Sequence, residues 1–223
     1  MNRTRRARTE GIVRYDKGQR EETRKRITEV ASQFIRRDGI GATGIAAVMA
    51  ASDLTHGAFY WHFESKDQLV REAVVEAQQA RLRRIDRCLS RSDGVEAVIR
   101  DYLGSQHVAD AATGCASAAL APEVARSTSD VRAAHTRGLV EQFERVSKAL
   151  PSELHHRVPA LFSMLIGCVQ LARACDDERV AESILASGLK TALAMLDIES
   201  RPHPPRRRSA SEASPRGSER FVN

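Results

Sequence analysis

The segment from residue 43 to residue 66 carries most of the side chains in this sequence that could do chemistry. It combines hydroxyl groups, imidazole rings, an indole ring and an ammonium group in Thr43, Thr55, His56, Tyr60, Trp61, His62 and Lys66. Short or planar polar side chains of this kind donate hydrogen bonds to phosphate oxygens and to base edges. The segment therefore favours contact with DNA over catalysis.

The order of these residues separates two roles. We expect phosphate contacts from Thr43, Tyr60, His62 and Lys66. The base edges are left to Thr55, His56, Ala58 and Trp61. Gly57 has no side chain, which allows the backbone to lie close to DNA.

Several helices must position this set. The apolar spacing predicts helical segments over about 19–37, 44–51, 56–61 and 65–89. Thr43 and Thr55 are expected to cap the second and third of these through their hydroxyl groups. Ser65 and Gln68 form a capping box for the fourth, in which each satisfies the other's backbone donor. The outer part of that last helix is so polar that we expect it to bridge two domains rather than lie in a core.

Residues 54–66 resemble the DNA-binding end of TetR-family regulators. The resemblance is carried by Leu54-Thr55-His56-Gly57, Phe59-Tyr60-Trp61-His62-Phe63 and Ser65-Lys66. It implies a helix-turn-helix domain followed by a helical bundle that dimerises and binds an effector. It also implies DNA contacts for Thr43, Thr55, His56, Gly57, Tyr60, His62 and Lys66. Two positions depart from the family pattern: Asp53 stands where Gly is usual, and Trp61 where a basic or small residue is.

Composition and charge predict an all-α protein with one basic end. The 223 residues are 42% hydrophobic but only 4% aromatic, and few stretches alternate as strands do. Residues 1–66 carry 13 Lys and Arg against 8 Asp and Glu, whereas residues 67–198 carry 16 against 18. A basic module on a near-neutral body is typical of a nucleic-acid-binding domain joined to a second domain.

Four parts follow from these patterns. We predict a flexible basic arm over 1–18, a helix-turn-helix DNA-binding domain over 19–66, a helical effector-binding and dimerisation domain over 67–198, and a disordered Arg- and Pro-rich tail over 199–223. The arginines of the arm either enter a minor groove or remain in solvent.

The cysteine content and the hydropathy of the chain indicate the cellular location of the protein. Four scattered cysteines predict reduced thiols, and the Arg-rich first residues lack the apolar run of a secretory signal. The most apolar stretch, 160–172, is about half the length that spans a bilayer. We therefore expect a cytoplasmic protein without a membrane segment, cofactor or metal site.

The body is predicted to hold six helices, near 93–103, 105–111, 116–127, 129–149, 154–174 and 177–196. Apolar stripes on the last two helices favour pairing with a second copy. The family resemblance implies the same pairing, in which these two helices form a four-helix bundle with their counterparts in the second copy. The predicted interface consists of Leu161, Leu165, Cys168, Leu171, Ile184, Leu185, Gly188, Leu189 and Ala192. The alternative is that these stripes form an intramolecular core alone.

A small effector is expected inside the body. Candidate contacts are Tyr102, Gln106, Cys115, Phe143 and Phe162, although apolar bundle faces are more often core. The Gly114-Cys115 segment is similar to one in TetR-family branches that sense electrophiles or oxidants through cysteine. Such chemistry needs a solvent-reachable thiolate near a helix start, and the alternative is a buried, unreactive cysteine.

These patterns favour a DNA-binding transcriptional regulator. We expect a repressor that binds a palindromic operator as a homodimer and is released by an effector or thiol modification. The alternative is an activator, or a nucleoid-type protein without an effector. An enzyme is disfavoured, since the sequence has no nucleotide-binding glycine loop, nucleophile elbow or ligand cluster at metal spacing.

Overall fold

Ten α-helices and two 3₁₀ turns make up the computed structural model, which describes the backbone of residues 3–197 and side chains from Gly18 onward. The α-helices are α1 (Arg3–Asp38), α2 (Ile45–Ala51), α3 (Phe59–His62), α4 (Lys66–Leu89), α5 (Gly94–Tyr102), α6 (Ser105–Ala109), α7 (Ala116–Ala125), α8 (Ser129–Ser147), α9 (Val158–Ala174) and α10 (Glu178–Met195). The 3₁₀ turns are His56–Ala58, before α3, and Ser152–Arg157, before α9. Residues 3–197 contain no strand, so the predicted all-α class is confirmed.

Helix α1 starts earlier than the sequence pattern predicts. It begins at Arg3 rather than near Gln19, so the predicted start of the first helix was wrong. Eight of the fifteen residues 3–17 are good helix formers (Arg, Lys, Ala or Glu) and no proline interrupts them, so the helix extends without an apolar stripe. The side chains of the basic arm and the whole 199–223 tail lie outside the described residues.

A compact apolar cluster holds α1 to α4 together. Phe59 and Phe63 are 0% and 1% exposed, and they pack in one cluster with Phe34, Ile45 and Leu69. Both aromatic residues therefore belong to the core. The ends of α7 and α8 add Leu120, Val124 and Val131 to the same cluster, which ties the body to the N-terminal helices.

The turn after α2 is a Schellman motif. The Leu54 amide donates to the Met49 carbonyl at 2.9 Å, and the Asp53 amide donates to the Ala50 carbonyl at 3.1 Å. This motif requires a left-handed residue just beyond the helix, and Asp53 occupies it at φ +57°. Asp53 therefore adopts the backbone conformation that glycine usually supplies at this position.

Helix α4 runs through both halves of the molecule. Ser65 caps it by accepting from the Gln68 amide at 3.1 Å, but Gln68 reaches back to the Glu64 amide at 2.7 Å and not to that of Ser65. The polar outer part of α4 was predicted to bridge two domains rather than lie in a core, but two of its residues are buried. Gln78 and Arg81 are 1% and 4% exposed because they face α8 and α5.

The six helices of the body lie close to their predicted positions. Pro159 lies in the first turn of α9, where a backbone N–H has no acceptor within the helix. Its missing N–H therefore costs no hydrogen bond, and the proline marks the helix start. By length and composition alone, Ser152–Ala174 could cross a membrane, with a mean hydropathy of 1.2. In the fold its helix packs chiefly against α10, and also against α7 and α8.

Helices α9 and α10 bury several residues that were predicted to face a second copy. Leu161, Leu165, Gly188 and Ala192 are buried inside the chain, so their assignment to the dimer interface was wrong. A Cβ on Gly188 would lie 2.5 Å from the Cys168 sulfur. The close helix approach that the small residues allow is therefore made between α9 and α10 of one chain.

Candidate nucleic-acid interface

A single surface gathers the side chains of the recognition segment 55–62. Buried Phe59 anchors the segment from below, and the 3₁₀ turn and α3 above it face outward. Tyr60 and Trp61 are 68% and 74% exposed, although large aromatic side chains rarely stand so far into solvent. Thr55, His56 and Gly57 are also exposed, and Ala58 is half-buried.

Thr55 precedes the recognition segment without capping it through its side chain. Its backbone is extended at φ −75° and ψ 151°, as an N-cap requires, and its carbonyl accepts from the Ala58 amide at 3.0 Å. Its hydroxyl makes no capping bond, so the predicted side-chain cap was wrong. The exposed hydroxyl is left available for an external acceptor.

Thr43 has a structural role that the sequence pattern did not indicate. Gly44, and not Thr43, is the N-cap of α2. Thr43 is 5% exposed, and its hydroxyl donates to the Gly39 carbonyl at 2.7 Å. The predicted cap was therefore wrong, and the donor expected for a phosphate already closes the turn between α1 and α2.

His62 and Lys66 flank the exposed surface from the other side. Both are half-buried, and Lys66 begins α4. Burial, together with the positive charges of Arg20 and Arg24, lowers the pKa of His62. The ring is therefore neutral at neutral pH and offers one N–H rather than two.

Arg20 is a residue of this surface that sequence reasoning missed. Its guanidinium donates to the Trp61 carbonyl and so covers the end of the recognition helix, where a cation is favourable. Its partner lies 41 residues away in the sequence. No local pattern could have indicated that contact.

Two hydrogen bonds connect the N-terminal helices to the body at opposite ends of α7. Arg36 of α1 is 7% exposed and donates to the Gly114 carbonyl, just before α7, at 2.8 Å. Near the other end, the Glu123 carboxylate accepts from the Gly41 amide at 3.1 Å. A shift of α7 would therefore displace α1 and the turn that follows α1.

Four of the five predicted effector contacts lie in one core. Tyr102, Cys115 and Phe162 are buried there, and half-buried Phe143 packs its ring 5.1 Å from that of Phe162. Gln106 is exposed on α6 and does not join them, because a short helix turns the adjacent residue inward instead. Gln106 therefore lies apart from the other four candidates.

His107 is the inward residue at that position. Its Nε2 accepts from the Cys115 amide at 2.8 Å, so its Nδ1 carries the proton and donates to the Tyr102 carbonyl at 2.6 Å. Burial lowers the pKa of His107 to about 4. Cys115 itself is 1% exposed, so its thiol lacks the access to solvent that an electrophile sensor needs.

The N-terminal helices match known bacterial regulators. Residues 27–73 match the family model described as "Bacterial regulatory proteins, tetR family". The HTH-type transcriptional regulator AcrR of Shigella flexneri is 34% identical over 61 residues, which cover 27% of this chain and 28% of AcrR. The HTH-type transcriptional regulator TtgR of Pseudomonas putida is 37% identical over 59 residues, 26% of this chain and 28% of TtgR. These matches span little more than a quarter of each relative.

The similarity of fold extends over most of the chain. A TetR-family transcriptional regulator from Streptomyces coelicolor aligns with a TM-score of 0.62 at 22% identity, covering 79% of this chain and 96% of that one. The reduced form of NemR from E. coli aligns with a TM-score of 0.63 at 17% identity, covering 78% and 97%. At these identities the likeness concerns the fold alone. Residues 27–73 therefore match the DNA-binding helices of TetR-family regulators, and the chain as a whole shares their all-helical fold.

Proposed function

We propose that the protein is a transcriptional repressor that binds a palindromic operator as a homodimer and is released by a small effector. The observation that carries the DNA-binding part is the outward pair Tyr60 and Trp61, 68% and 74% exposed on a helix anchored by buried Phe59. The fold buries little of the apolar surface of these two aromatic rings. A DNA groove would cover them.

The exposed residues divide into phosphate and base contacts. We assign phosphates to Tyr60, His62 and Lys66, and base edges to Thr55, His56, Ala58 and Trp61, with Gly57 allowing close approach. Thr43 is omitted from the contacts because its hydroxyl is engaged with Gly39. Removal of any one phosphate-binding group should weaken binding to all DNA sequences alike.

Binding to DNA tests these roles directly. Fluorescence anisotropy with labelled fragments from the DNA flanking the gene compares wild type with Tyr60→Phe and Trp61→Ala. Removing the Tyr60 hydroxyl should weaken binding by about 5- to 10-fold on every fragment, whereas removing the Trp61 ring should change the preference among fragments. Val140→Ala, which alters an apolar residue 44% exposed on α8, serves as the control and should bind as wild type. Unchanged binding in both recognition-helix variants would contradict the assignment.

A dimer is proposed from the outer faces of α9 and α10. Leu171 and Val180 are 60% and 47% exposed, and Ile184, one turn after Val180 on α10, is half-buried. Nothing lies within 4 Å of a Cβ placed on Gly167. Only 33% of the most apolar window, in Ser152–Ala174, is buried inside the chain. Of the predicted interface residues, Cys168, Leu171, Ile184, Leu185 and Leu189 keep some exposed surface for a second copy.

Sedimentation equilibrium distinguishes the dimer from a monomer. The double substitution Leu171→Glu with Val180→Glu places four charges in the proposed interface and should yield monomers at micromolar concentration. Val140→Glu, with similar exposure on α8, should leave the dimer intact. A wild-type monomer, or a double variant that remains dimeric, would contradict the proposal.

Effector release is proposed to act through α4 and α7. Helix α4 packs on α1, α5 and α8, while Arg36 and Glu123 couple α7 to the N-terminal helices. An effector that moves these helices would change the separation of the two recognition helices, which must fit grooves about 34–36 Å apart. Because Cys115 is buried, we favour a bound effector over thiol modification.

Footprinting separates a repressor from the alternative of a nucleoid-type protein. A single protected palindrome that overlaps a promoter supports the proposal. Continuous coverage without a defined site supports the nucleoid-type alternative. Transcription in vitro from the same fragment then separates a repressor from an activator by the sign of the change.

A further inference from the structure

Arg81 is a buried cation whose charge is not fully compensated. It lies on the inner face of α4 and is 4% exposed. Its Nη1 donates to Asp101 at 3.1 Å, but Arg84 donates to both oxygens of the same carboxylate at 2.9 and 2.8 Å. Among the described residues, two guanidinium groups thus share one carboxylate. A buried charge without full compensation is costly to the fold.

The unused donors of Arg81 have a particular arrangement. Its Nε and Nη2 have no hydrogen-bond partner within the described part of the chain. These are the two N–H groups on one edge of the guanidinium, and together they form the fork that binds both oxygens of a carboxylate. Asp101 binds Nη1 on the other side, so the fork is buried without a partner.

Further unpaired polar atoms come from neighbouring helices. The ring of Tyr102, which is 0% exposed, lies 4.6 Å below the Arg81 guanidinium. Its hydroxyl lies beside the Cys115 thiol but makes no hydrogen bond of good geometry among residues 18–197. Burial raises the pKa of Tyr102, so the hydroxyl keeps its proton and can donate. On α8, Gln142 is also fully buried; its Nε2 donates to Gln78, one turn before Arg81 on α4, while its Oε1 is unpaired.

Aromatic rings and a second arginine complete the surroundings. Phe162 lies 6.5 Å from the ring of Tyr102, edge to face, and Phe143 lies beyond it. Arg173 donates to the carbonyls of His107 and Val108 and adds positive charge nearby. The site thus offers a carboxylate fork, a phenol donor and an aromatic wall in a net positive environment.

We propose that this interior binds a small aromatic carboxylate, with its carboxylate on the Nε and Nη2 edge of Arg81 and on the Tyr102 hydroxyl. The Gln142 Oε1 accepts from a hydroxyl or N–H group elsewhere on the ligand. Because Arg81 is buried, the ligand enters only when the helices around it separate. Arg81 belongs to α4, so that separation acts on the helix that leads to the recognition segment.

Calorimetric titration of the full chain without DNA tests the site. The probes are benzoate, salicylate and indole-3-acetate, with their neutral amides, sodium chloride and sodium phosphate as comparisons. At least one carboxylate should bind saturably and raise Tm, and its amide should bind at least about 10-fold more weakly, as expected for hydrogen bonds to a charged group. Failure of every carboxylate, or an equal effect of chloride or phosphate, would overturn the proposal.

Matched variants locate the binding. Arg81→Met should weaken the carboxylate by about 10- to 150-fold, whereas Arg83→Met removes an exposed arginine of the same helix and should stay within twofold. Tyr102→Phe removes one unpaired hydroxyl, keeps the fold, and should weaken binding about 5-fold. Unchanged affinity in Tyr102→Phe and Arg81→Met, or in Arg81→Lys if the Met variant does not fold, would refute the site. The effector role alone rests on the proposed function, so a protein that binds carboxylates but not DNA would overturn that function and leave the site standing.

Discussion

Replacing Asp53 by glycine should both stabilise the fold and tighten DNA binding. Asp53 holds φ +57° in the turn between α2 and the recognition segment. A left-handed backbone costs a non-glycine residue about 1–2 kcal/mol, with Asp near the lower end. Glycine loses roughly 0.5–1 kcal/mol more backbone entropy on folding. The net gain is at most about 0.5 kcal/mol, which raises Tm by up to about 1–2 °C for a domain of this size.

The same change removes a negative charge beside the proposed DNA surface. A phosphate about 10 Å away repels a carboxylate by about 0.4 kcal/mol in water, and salt at 0.15 M screens this to about a third. Several phosphates in reach of two protomers add up to about 0.5 kcal/mol. Asp53→Gly should therefore tighten DNA binding by about twofold, and the gain should shrink as salt is raised.

Asp197 offers a control with the same backbone conformation at a different helix end. It follows α10 at φ +53°, and its ion pair with Arg157, at 3.6 Å and 65% side-chain exposure, stabilises the fold little. Asp197→Gly should raise Tm by a similar amount without changing DNA affinity. Scanning calorimetry and fluorescence anisotropy measure the two effects. A lower Tm for Asp53→Gly, or an equal change of DNA affinity in both variants, would refute the reasoning.

Three further predictions concern the body and its link to the N-terminal helices. Gly138→Ala would place a Cβ 2.5 Å from the stem of Gln78, so we expect it to destabilise the fold by about 1–3 kcal/mol in urea unfolding despite the better helix propensity of alanine; unchanged stability would contradict the packing of α4 on α8. Burial lowers the pKa of His107 from 6.5 to about 4, so the fold is fully stable above pH 6.5, where the ring is neutral. The free energy of unfolding should fall by about 3 kcal/mol between pH 6.5 and 4, and His107→Asn should largely remove this fall. The same pH dependence of unfolding in wild type and His107→Asn would refute the prediction. Arg36→Met leaves a buried carbonyl before α7 without its donor and should cost about 1–3 kcal/mol, whereas Arg37→Met, its exposed neighbour, should cost less than about 0.5 kcal/mol; equal destabilisation by the two would argue against the Arg36 hydrogen bond.

Periodicity and capping predicted the helices well because these signals are local. The recognition segment was expected at 56–61 and lies at 56–62, and Ser65 opens α4 where the capping box indicated. The first helix was expected to start near residue 19 and starts at Arg3, because helix propensity needs no apolar stripe. At Thr43, sequence position indicated a cap, but a carbonyl four residues earlier competes for the same hydroxyl.

The interior could not be predicted because its contacts join distant residues. Arg81 and Gln78 look like solvated residues on a polar helix, and only the packing of α5 and α8 shows that they are buried. The helical spacing of the apolar residues on α9 and α10 does not show which of these residues pack against each other within one chain. Leu161 and Leu165 were therefore assigned to an interface that only exposed residues such as Leu171 can form.

Hydroxyl-radical footprinting of the DNA that flanks the gene tests the central claim most directly. Wild-type protein should protect two half-sites on one face of the duplex, centred about 34–36 Å or a multiple of that distance apart. Trp61→Ala should lose this pattern at concentrations where Val140→Ala retains it. Absence of protection by the wild type, or identical footprints from both variants, would contradict DNA recognition by the exposed surface of residues 55–62.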